Sequence, residues 1–181
     1  MPLVTMGNTR FIFCHIPRTA GRSFLQALVH SGCEVDYRTP RGNHPHPTMH
    51  EMRKVHGRDI PSVAVVREPI ARFISAMRFE DRAESTEHLV KVIRKMRQPP
   101  HDETRHFFPQ CEFIDEDTRI FSFENGLPEL EKEMKTFGII KPTIQLNRVN
   151  GGSNHVQLET TARGLTKIRR WYKHDVKRLG Y

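Results

Sequence analysis

The chain has 181 residues, a formal net charge of +8 at pH 7 and an apolar content of 36%. This length predicts one domain, spanning residues 1–181, that is large enough to bury a hydrophobic core. Its three scattered cysteines suit neither a disulfide framework nor a zinc site, and no run of ~20 apolar residues predicts a membrane span. The positive charge favours an anionic partner, for which a nucleic acid, an anionic nucleotide and a sulfated substrate are all candidates.

The N-terminal segment from Met1 to Thr9 is predicted to be a short polar lead-in. It lacks a basic region followed by an apolar stretch, so no signal peptide is expected. Together with the small number of cysteines, this predicts a soluble, cytoplasmic protein that does not bind a membrane.

The first predicted element is a buried strand that leads through a loop into a helix. Phe11 to Cys14 is apolar and rich in aromatic and β-branched residues, as buried strands are. Pro17 ends the strand, and helical spacing of apolar residues begins after Arg22. Because backbone N–H groups and the positive end of a helix dipole converge at such a junction, we predict a phosphate- or sulfate-binding loop. An ordinary connection with solvated arginines is the alternative.

A second helix is predicted to begin at Thr48, where Glu51 completes a capping box, and to end at Gly57. Three histidines lie before or within it: His44, His46 and His50. No cysteine or acidic residue completes a ligand set at metal-binding spacing, so no metal site is predicted.

The strongest predicted strand is Ser62–Val66, a nearly continuous apolar run that is typical of a central parallel strand. Pro69 suits the first turn of the helix that follows. Arg67 therefore lies at the carboxyl end of a strand, where ligands bind in open α/β sheets, and Ser75 lies about two helical turns further on.

The first of these segments resembles the 5′-phosphosulfate loop of sulfotransferases that use 3′-phosphoadenosine-5′-phosphosulfate (PAPS). That loop commonly reads His-hydrophobic-Pro-Lys-Thr-Gly/Ala-Gly-Thr-Ser-Phe. The matching residues are His15, Pro17, Thr19, Ala20, Gly21, Ser23 and Phe24. Arg18 stands where lysine is usual, and Arg22 where threonine is common.

The second segment is similar to the 3′-phosphate motif of the same enzymes, Arg-Asp/Asn-Pro-x-x-Arg-hydrophobic-x-Ser. The matching residues are Arg67, Pro69, Arg72, Phe73 and Ser75, whereas Glu68 departs from the pattern. The resemblance, closest to compact soluble versions of the carbohydrate and heparan sulfotransferases, implies PAPS as donor. It implies that the donor is bound by Pro17, Arg18, Thr19, Ala20, Gly21, Arg22, Ser23, Phe24, Arg67 and Ser75.

The resemblance also implies the catalytic residues. Arg18 would stabilise charge on the bridging oxygen of the donor, although a guanidinium, unlike lysine, hardly donates a proton. His46 to Glu51 resembles a His-x-Thr-x-x-Glu segment of the family, which makes His46 the first candidate for the catalytic base and His44 the second. An imidazole with an ordinary pKa would make turnover slow below pH ~6.

The remainder of the chain predicts helices at Glu80–Gln98, Pro128–Phe137 and Gly164–Gly180, with a strand at Arg119–Phe123. Two further resemblances to the family lie here. One is the Pro109-Gln110 pair ahead of that strand, and the other is Tyr172-x-x-Asp175 near the C-terminus.

The repeated strand–loop–helix units predict a three-layer α/β domain, of the type found in P-loop nucleotide kinases, with a mostly parallel central sheet. The resemblance implies transfer of a sulfuryl group from PAPS to the hydroxyl group of a carbohydrate or small molecule, by in-line displacement and without a metal. We expect neither nucleic acid nor membrane as a partner. The alternatives are a P-loop-type kinase or phosphotransferase, which would bind Mg²⁺, and a non-enzymatic domain that binds polyanions or nucleic acids.

Overall fold

The computed structural model describes residues 2–30, 32–37, 46–79, 102–136, 138, 140–143, 145 and 162–181. The predicted helix Glu80–Gln98 and the candidate base His44 lie outside the described residues.

The described residues form one five-stranded sheet. Its strands are β1 (Leu3–Met6), β2 (Thr9–Cys14), β3 (Glu34–Asp36), β4 (Ser62–Val66) and β5 (Thr118–Ser122), in the order β3-β1-β2-β4-β5. The pairs β2–β4 and β4–β5 are parallel, whereas β1 is antiparallel to both of its neighbours. The α/β class is therefore confirmed, but the prediction of a mostly parallel sheet holds only for β2, β4 and β5.

The antiparallel part of the sheet is formed by the N-terminal segment. The prediction that Met1 to Thr9 is only a short polar lead-in is therefore wrong. Leu3–Met6 is a strand that pairs with β2 from Leu3↔Ile12 to Met6↔Thr9. Only Gly7 and Asn8 separate the paired ends, and Gly7 has φ 59°. A two-residue connection can join only antiparallel neighbours, and a positive φ is typical of such hairpin turns.

The described helices are α1 (Gly21–His30), α2 (Met49–His56), α3 (Pro69–Phe79), α4 (Gly126–Thr136), α5 (Ala162–Trp171) and α6 (Lys173–Leu179). The single helix predicted over Gly164–Gly180 is thus two helices, broken at Tyr172 (φ −93°, ψ 22°). The buried hydroxyl of Tyr172 donates to the carbonyl of Phe107 at 2.6 Å, a contact that the local sequence does not reveal. No helix in the described ranges is both long and apolar enough to cross a membrane.

Helices and loops cover both faces of the sheet. Side chains alternate along β2, so Phe11 and Phe13 pack with α1, whereas Ile12 and Cys14 pack with α2. Phe13 and Phe24 of α1 lie with ring centroids 4.4 Å apart. Burying each such side chain contributes ~1.5–3 kcal/mol. The three-layer prediction is therefore met by the described residues.

A capping box fixes the start of α2, as predicted. The Thr48 hydroxyl accepts a hydrogen bond from the Glu51 N–H at 3.2 Å, and the Glu51 carboxylate accepts one from the Thr48 N–H at 2.6 Å. Gly57, with φ 81°, ends the helix. This cap determines the path of the chain at His46, two residues before Thr48.

Candidate active site

The loop between β2 and α1 contains two residues in an unfavourable backbone conformation. Arg18 and Ala20 have φ 68° and 65°, the left-handed region that costs a non-glycine residue ~1–2 kcal/mol. The buried Thr19 hydroxyl stabilises the turn by donating to the carbonyl of Ile16 at 2.9 Å. Strain of this kind is typical of ligand-binding loops that hold a fixed shape.

Glycine is required at position 21 because His15 occupies the space next to it. A Cβ at Gly21 would lie 2.0 Å from Cδ2 of His15, far inside van der Waals contact. The His15 ring therefore packs directly beneath the start of α1, whose first-turn N–H groups suit an anion.

The two predicted anion-binding segments meet at the carboxyl ends of β2 and β4. Nε of Arg18 donates to the Ser75 hydroxyl on α3 at 3.2 Å. Nη1 of Arg67 donates to the Arg18 carbonyl at 3.4 Å. The structure thus brings together Arg18, Arg67 and Ser75, although Arg67 and Ser75 lie 49 and 57 positions after Arg18 in the sequence.

The third parallel strand also contributes to this site. The guanidinium of Arg67 lies over the ring of Phe123, the first residue after β5, at 4.6 Å from the ring centroid.

The carboxylate of Glu68, which departs from the family motif, accepts a hydrogen bond from the Ala71 N–H at 2.6 Å and so caps α3.

Arg72, a matching residue of the second motif, is fully buried and acts as a tie between segments. Its guanidinium donates to the carbonyls of Pro17 (3.4 Å), His106 (3.1 Å) and Phe108. Since three carbonyls surround it, this cation holds the first loop against the 106–108 segment.

The other predicted donor-binding residues lie at different depths. Thr19 and Ser23 are buried, with 1% and 8% exposure, while Arg22 is exposed on the first turn of α1. Pro17 and Phe24 are buried, and the Phe24 side chain is part of the hydrophobic core.

Three histidines lie together beside the loop; we call His15, His46 and His106 the histidine cluster. The ring centroids of His15 and His46 are 4.7 Å apart, and those of His46 and His106 are 5.5 Å apart. Nδ1 of His46 lies 3.0 Å from the His15 carbonyl. Because a carbonyl only accepts, Nδ1 carries the proton, and Nε2 of the neutral ring keeps its lone pair.

Burial lowers the pKa of His46 to about 4, even though the hydrogen bond to His15 opposes the shift. Burial, followed by the charge of His46, also holds the pKa of His15 well below its usual value. His46 is therefore neutral at pH 7 and down to about pH 4. If His46 is the base, turnover should therefore slow only at a pH below the ~6 expected for an imidazole with an ordinary pKa.

Phe79 links the histidine cluster to Arg18. The Arg18 guanidinium lies 4.5 Å from the centroid of the Phe79 ring, and the His106 ring contacts the same ring edge-on at 5.2 Å. Phe79 is half exposed. Neither Phe79 nor His106 was identified from the sequence, although His106 lies just ahead of the Pro109-Gln110 pair.

The whole chain, residues 1–181, matches the family model described as the Sulfotransferase family. The chain belongs to this family. No curated protein and no solved structure matches it. Family membership supports a transferase that uses a sulfate donor and an acceptor substrate.

In this sulfotransferase Glu51 contributes to the histidine cluster indirectly, through Arg105, which contacts both Glu51 and the backbone of His46. Partial burial would raise the pKa of Glu51, but hydrogen bonds from Arg105 and Thr48 lower it below its usual value. The Arg105 guanidinium lies 3.3 Å from the Glu51 carboxylate and donates to the His46 carbonyl at 2.6 Å. Glu51 and Arg105 therefore hold the backbone of His46 in place.

Among the residues that the structure describes, no three His, Cys, Asp or Glu side chains are placed to hold a metal ion. The histidine cluster is instead packed ring against ring.

Proposed function

We propose that this sulfotransferase moves a sulfuryl group from PAPS to the hydroxyl group of a carbohydrate or small-molecule acceptor. The observation that carries the proposal is the direct contact between the two anion-binding segments, through Arg18, Ser75 and Arg67. PAPS carries a phosphosulfate on its 5′ side and a phosphate on its 3′ side, so it needs two such segments side by side. The proposal treats residues 1–181 as one domain with a P-loop-type architecture.

The donor supplies an activated sulfuryl group whose leaving group is adenosine 3′,5′-bisphosphate. Arg18 stabilises the negative charge that develops on the bridging oxygen as the S–O bond breaks. Its guanidinium stays charged throughout and needs no proton transfer. The N–H groups of the loop and of the first turn of α1 bind the sulfuryl and 5′-phosphate oxygens, with Thr19 in the loop and Ser23 on that first turn.

Arg67 and Ser75 bind the 3′-phosphate. The Ser75 oxygen accepts a hydrogen bond from Arg18, so its own O–H can donate to a phosphate oxygen. A guanidinium and a hydroxyl together give the phosphate charge-assisted and neutral hydrogen bonds from two directions.

His46 acts as the base on the acceptor side. As the acceptor oxygen bonds to sulfur, its proton passes to Nε2 of His46, which holds the lone pair because Nδ1–H is bonded to the His15 carbonyl. Membership of the sulfotransferase family favours this reaction over a kinase or a polyanion-binding domain.

Thermal stabilisation by nucleotides tests the proposal. Adenosine 3′,5′-bisphosphate at ~100 times its Kd should stabilise the protein by about 2.7 kcal/mol, and ADP by much less, because ADP lacks the 3′-phosphate. Arg67→Ala should remove most of the difference between the two nucleotides. Arg10→Ala, at an exposed position near the opposite end of β2, is the matched control. It should leave the difference in stabilisation between the two nucleotides unchanged. Equal stabilisation of the wild type by both nucleotides would rule out PAPS as donor.

A further inference from the structure

Gln110 is a fully buried side chain whose two polar atoms both bind the backbone of Arg67. Its Oε1 accepts a hydrogen bond from the Arg67 N–H at 2.9 Å, and its Nε2 donates to the Arg67 carbonyl at 2.7 Å. Arg67 immediately follows β4. The amide of Gln110 pairs with the N–H and the carbonyl of Arg67 in the way that the backbone of an adjacent strand would. A side-chain amide accepts at its oxygen and donates at its nitrogen at the same time, without needing to be protonated.

Gln110 is in turn held by Asp175, a fully buried residue of α6. One carboxylate oxygen of Asp175 accepts from the Gln110 N–H at 2.7 Å, and the other accepts from the Cys111 N–H at 2.9 Å. The carboxylate thereby satisfies both N–H groups at the start of the short turn Gln110–Glu112. A continuous line of hydrogen bonds runs from the C-terminal helix to the backbone of Arg67.

The side chain of Arg67 depends on that backbone position. Its guanidinium is placed between the Phe123 ring and the Arg18 carbonyl, where a shift of the backbone would carry it away from both. Fixing the backbone therefore fixes the direction from which the guanidinium meets an anion.

We propose that Gln110 is a positioning residue for the 3′-phosphate of the donor, acting through Arg67, with Asp175 as its support. This inference rests on the proposed function. It assigns a role to the Pro109-Gln110 pair and to Asp175, both of which the sequence singled out without giving them one.

The test compares the affinities of adenosine 3′,5′-bisphosphate and 5′-AMP by calorimetry, because their ratio isolates the contribution of the 3′-phosphate. Gln110→Met keeps the length of the side chain but removes both hydrogen bonds. We expect the ratio to fall roughly 10-fold, while the affinity for 5′-AMP changes less than about twofold. Gln26→Met makes the same change at an exposed position of α1 and should alter neither affinity.

A double variant shows whether the effect passes through Arg67. Once Arg67→Ala has removed the guanidinium, adding Gln110→Met should lower the ratio no further. The inference is overturned if Gln110→Met keeps the wild-type ratio. It is also overturned if Gln110→Met lowers both affinities equally, as loss of a merely structural residue would.

If Gln110→Met does not fold, Gln110→Glu gives the answer. Its carboxylate still accepts from the Arg67 N–H but donates to the Arg67 carbonyl only when protonated. Relative to the wild type at each pH, the ratio should be low near pH 8 and recover towards pH 5; a ratio that does not change with pH overturns the inference. A wild-type ratio near one would instead overturn the proposed function, because Arg67 would then bind no 3′-phosphate.

Discussion

Arg18 and Arg67, from the two predicted anion-binding segments, differ from the neighbouring histidine cluster in how the protein sets the charge of the side chains. Arg18 and Arg67 are half-buried, and their guanidinium groups stay charged at any pH that a folded protein tolerates. Burial makes His15 and His46 neutral by lowering the pKa of each imidazole. One side of the site is therefore permanently cationic, while the adjoining side can accept a proton.

The largest expected effect comes from removing His46, the proposed base. His46→Ala should lower kcat about 10²–10⁴-fold, because no group then takes the acceptor's proton. The affinity for adenosine 3′,5′-bisphosphate should survive, since in the proposed mechanism His46 acts only on the acceptor. Turnover is measured with labelled PAPS and an acceptor found by screening glycans and alcohols, and His50→Ala on the exposed side of α2 is the control. Wild-type turnover by His46→Ala would exclude His46 as the base and leave His44 as the candidate.

Removing the cation of Arg18 should lower both turnover and the affinity for the nucleotide. Arg18→Ala should lower kcat roughly 10²–10³-fold, because in the proposed mechanism the lost charge stabilises the oxygen on which negative charge develops. Affinity for the nucleotide should also fall, since the donor is already anionic before reaction. Arg18→Lys restores the charge and should recover most of the turnover. If Arg18→Ala keeps its turnover, Arg22 becomes the candidate for the catalytic cation.

The buried histidines should also make the fold sensitive to acid. In the unfolded chain His46 takes up a proton near pH 6.5, whereas in the folded protein its pKa is about 4. Its contribution to stability is thus present above pH ~6.5 and is lost as the pH falls; between pH 7 and pH 5 the loss is about 2 kcal/mol.

Urea unfolding at several pH values measures this dependence. His46→Gln should make stability fall less steeply between pH 7 and pH 5 than in the wild type, because one titrating group is gone. His50→Gln, at an exposed position, should leave the slope as it is. An unchanged slope for His46→Gln would show that this imidazole is not buried in its neutral form.

The smallest expected effect concerns backbone strain in the loop between β2 and α1. Among the described non-glycine residues, only Arg18 and Ala20 have a positive φ, and both lie in this loop. Ala20→Gly should stabilise the fold by ~0.5–1 kcal/mol, because glycine adopts this conformation without a steric cost. Ala27→Gly, within α1, should instead destabilise it by about 1 kcal/mol or more. Denaturant midpoints compare the two. Equal destabilisation by both changes would mean that the loop is unstrained.

Much of the fold could be predicted because the deciding signals are local. The apolar run of β4 predicted a central strand, and all five of its residues are buried between two parallel neighbours. Thr48, Glu51 and Gly57 predicted both ends of α2, since caps act within one helical turn. The strand at Leu3–Met6 was missed because the two-residue turn after it was not recognised as a hairpin signal.

The sequence by itself determined the family and the positions of the two predicted anion-binding motifs, because spacing along a strand–loop–helix unit is a local property. The tertiary structure decided what surrounds them. Gln110 meets Arg67 across 43 positions and Asp175 across 65. The pKa of His46 and the place of Phe79 likewise depend on burial and on contacts between distant segments. Such contacts arise only when the layers pack, so no pattern within a single element could have predicted them.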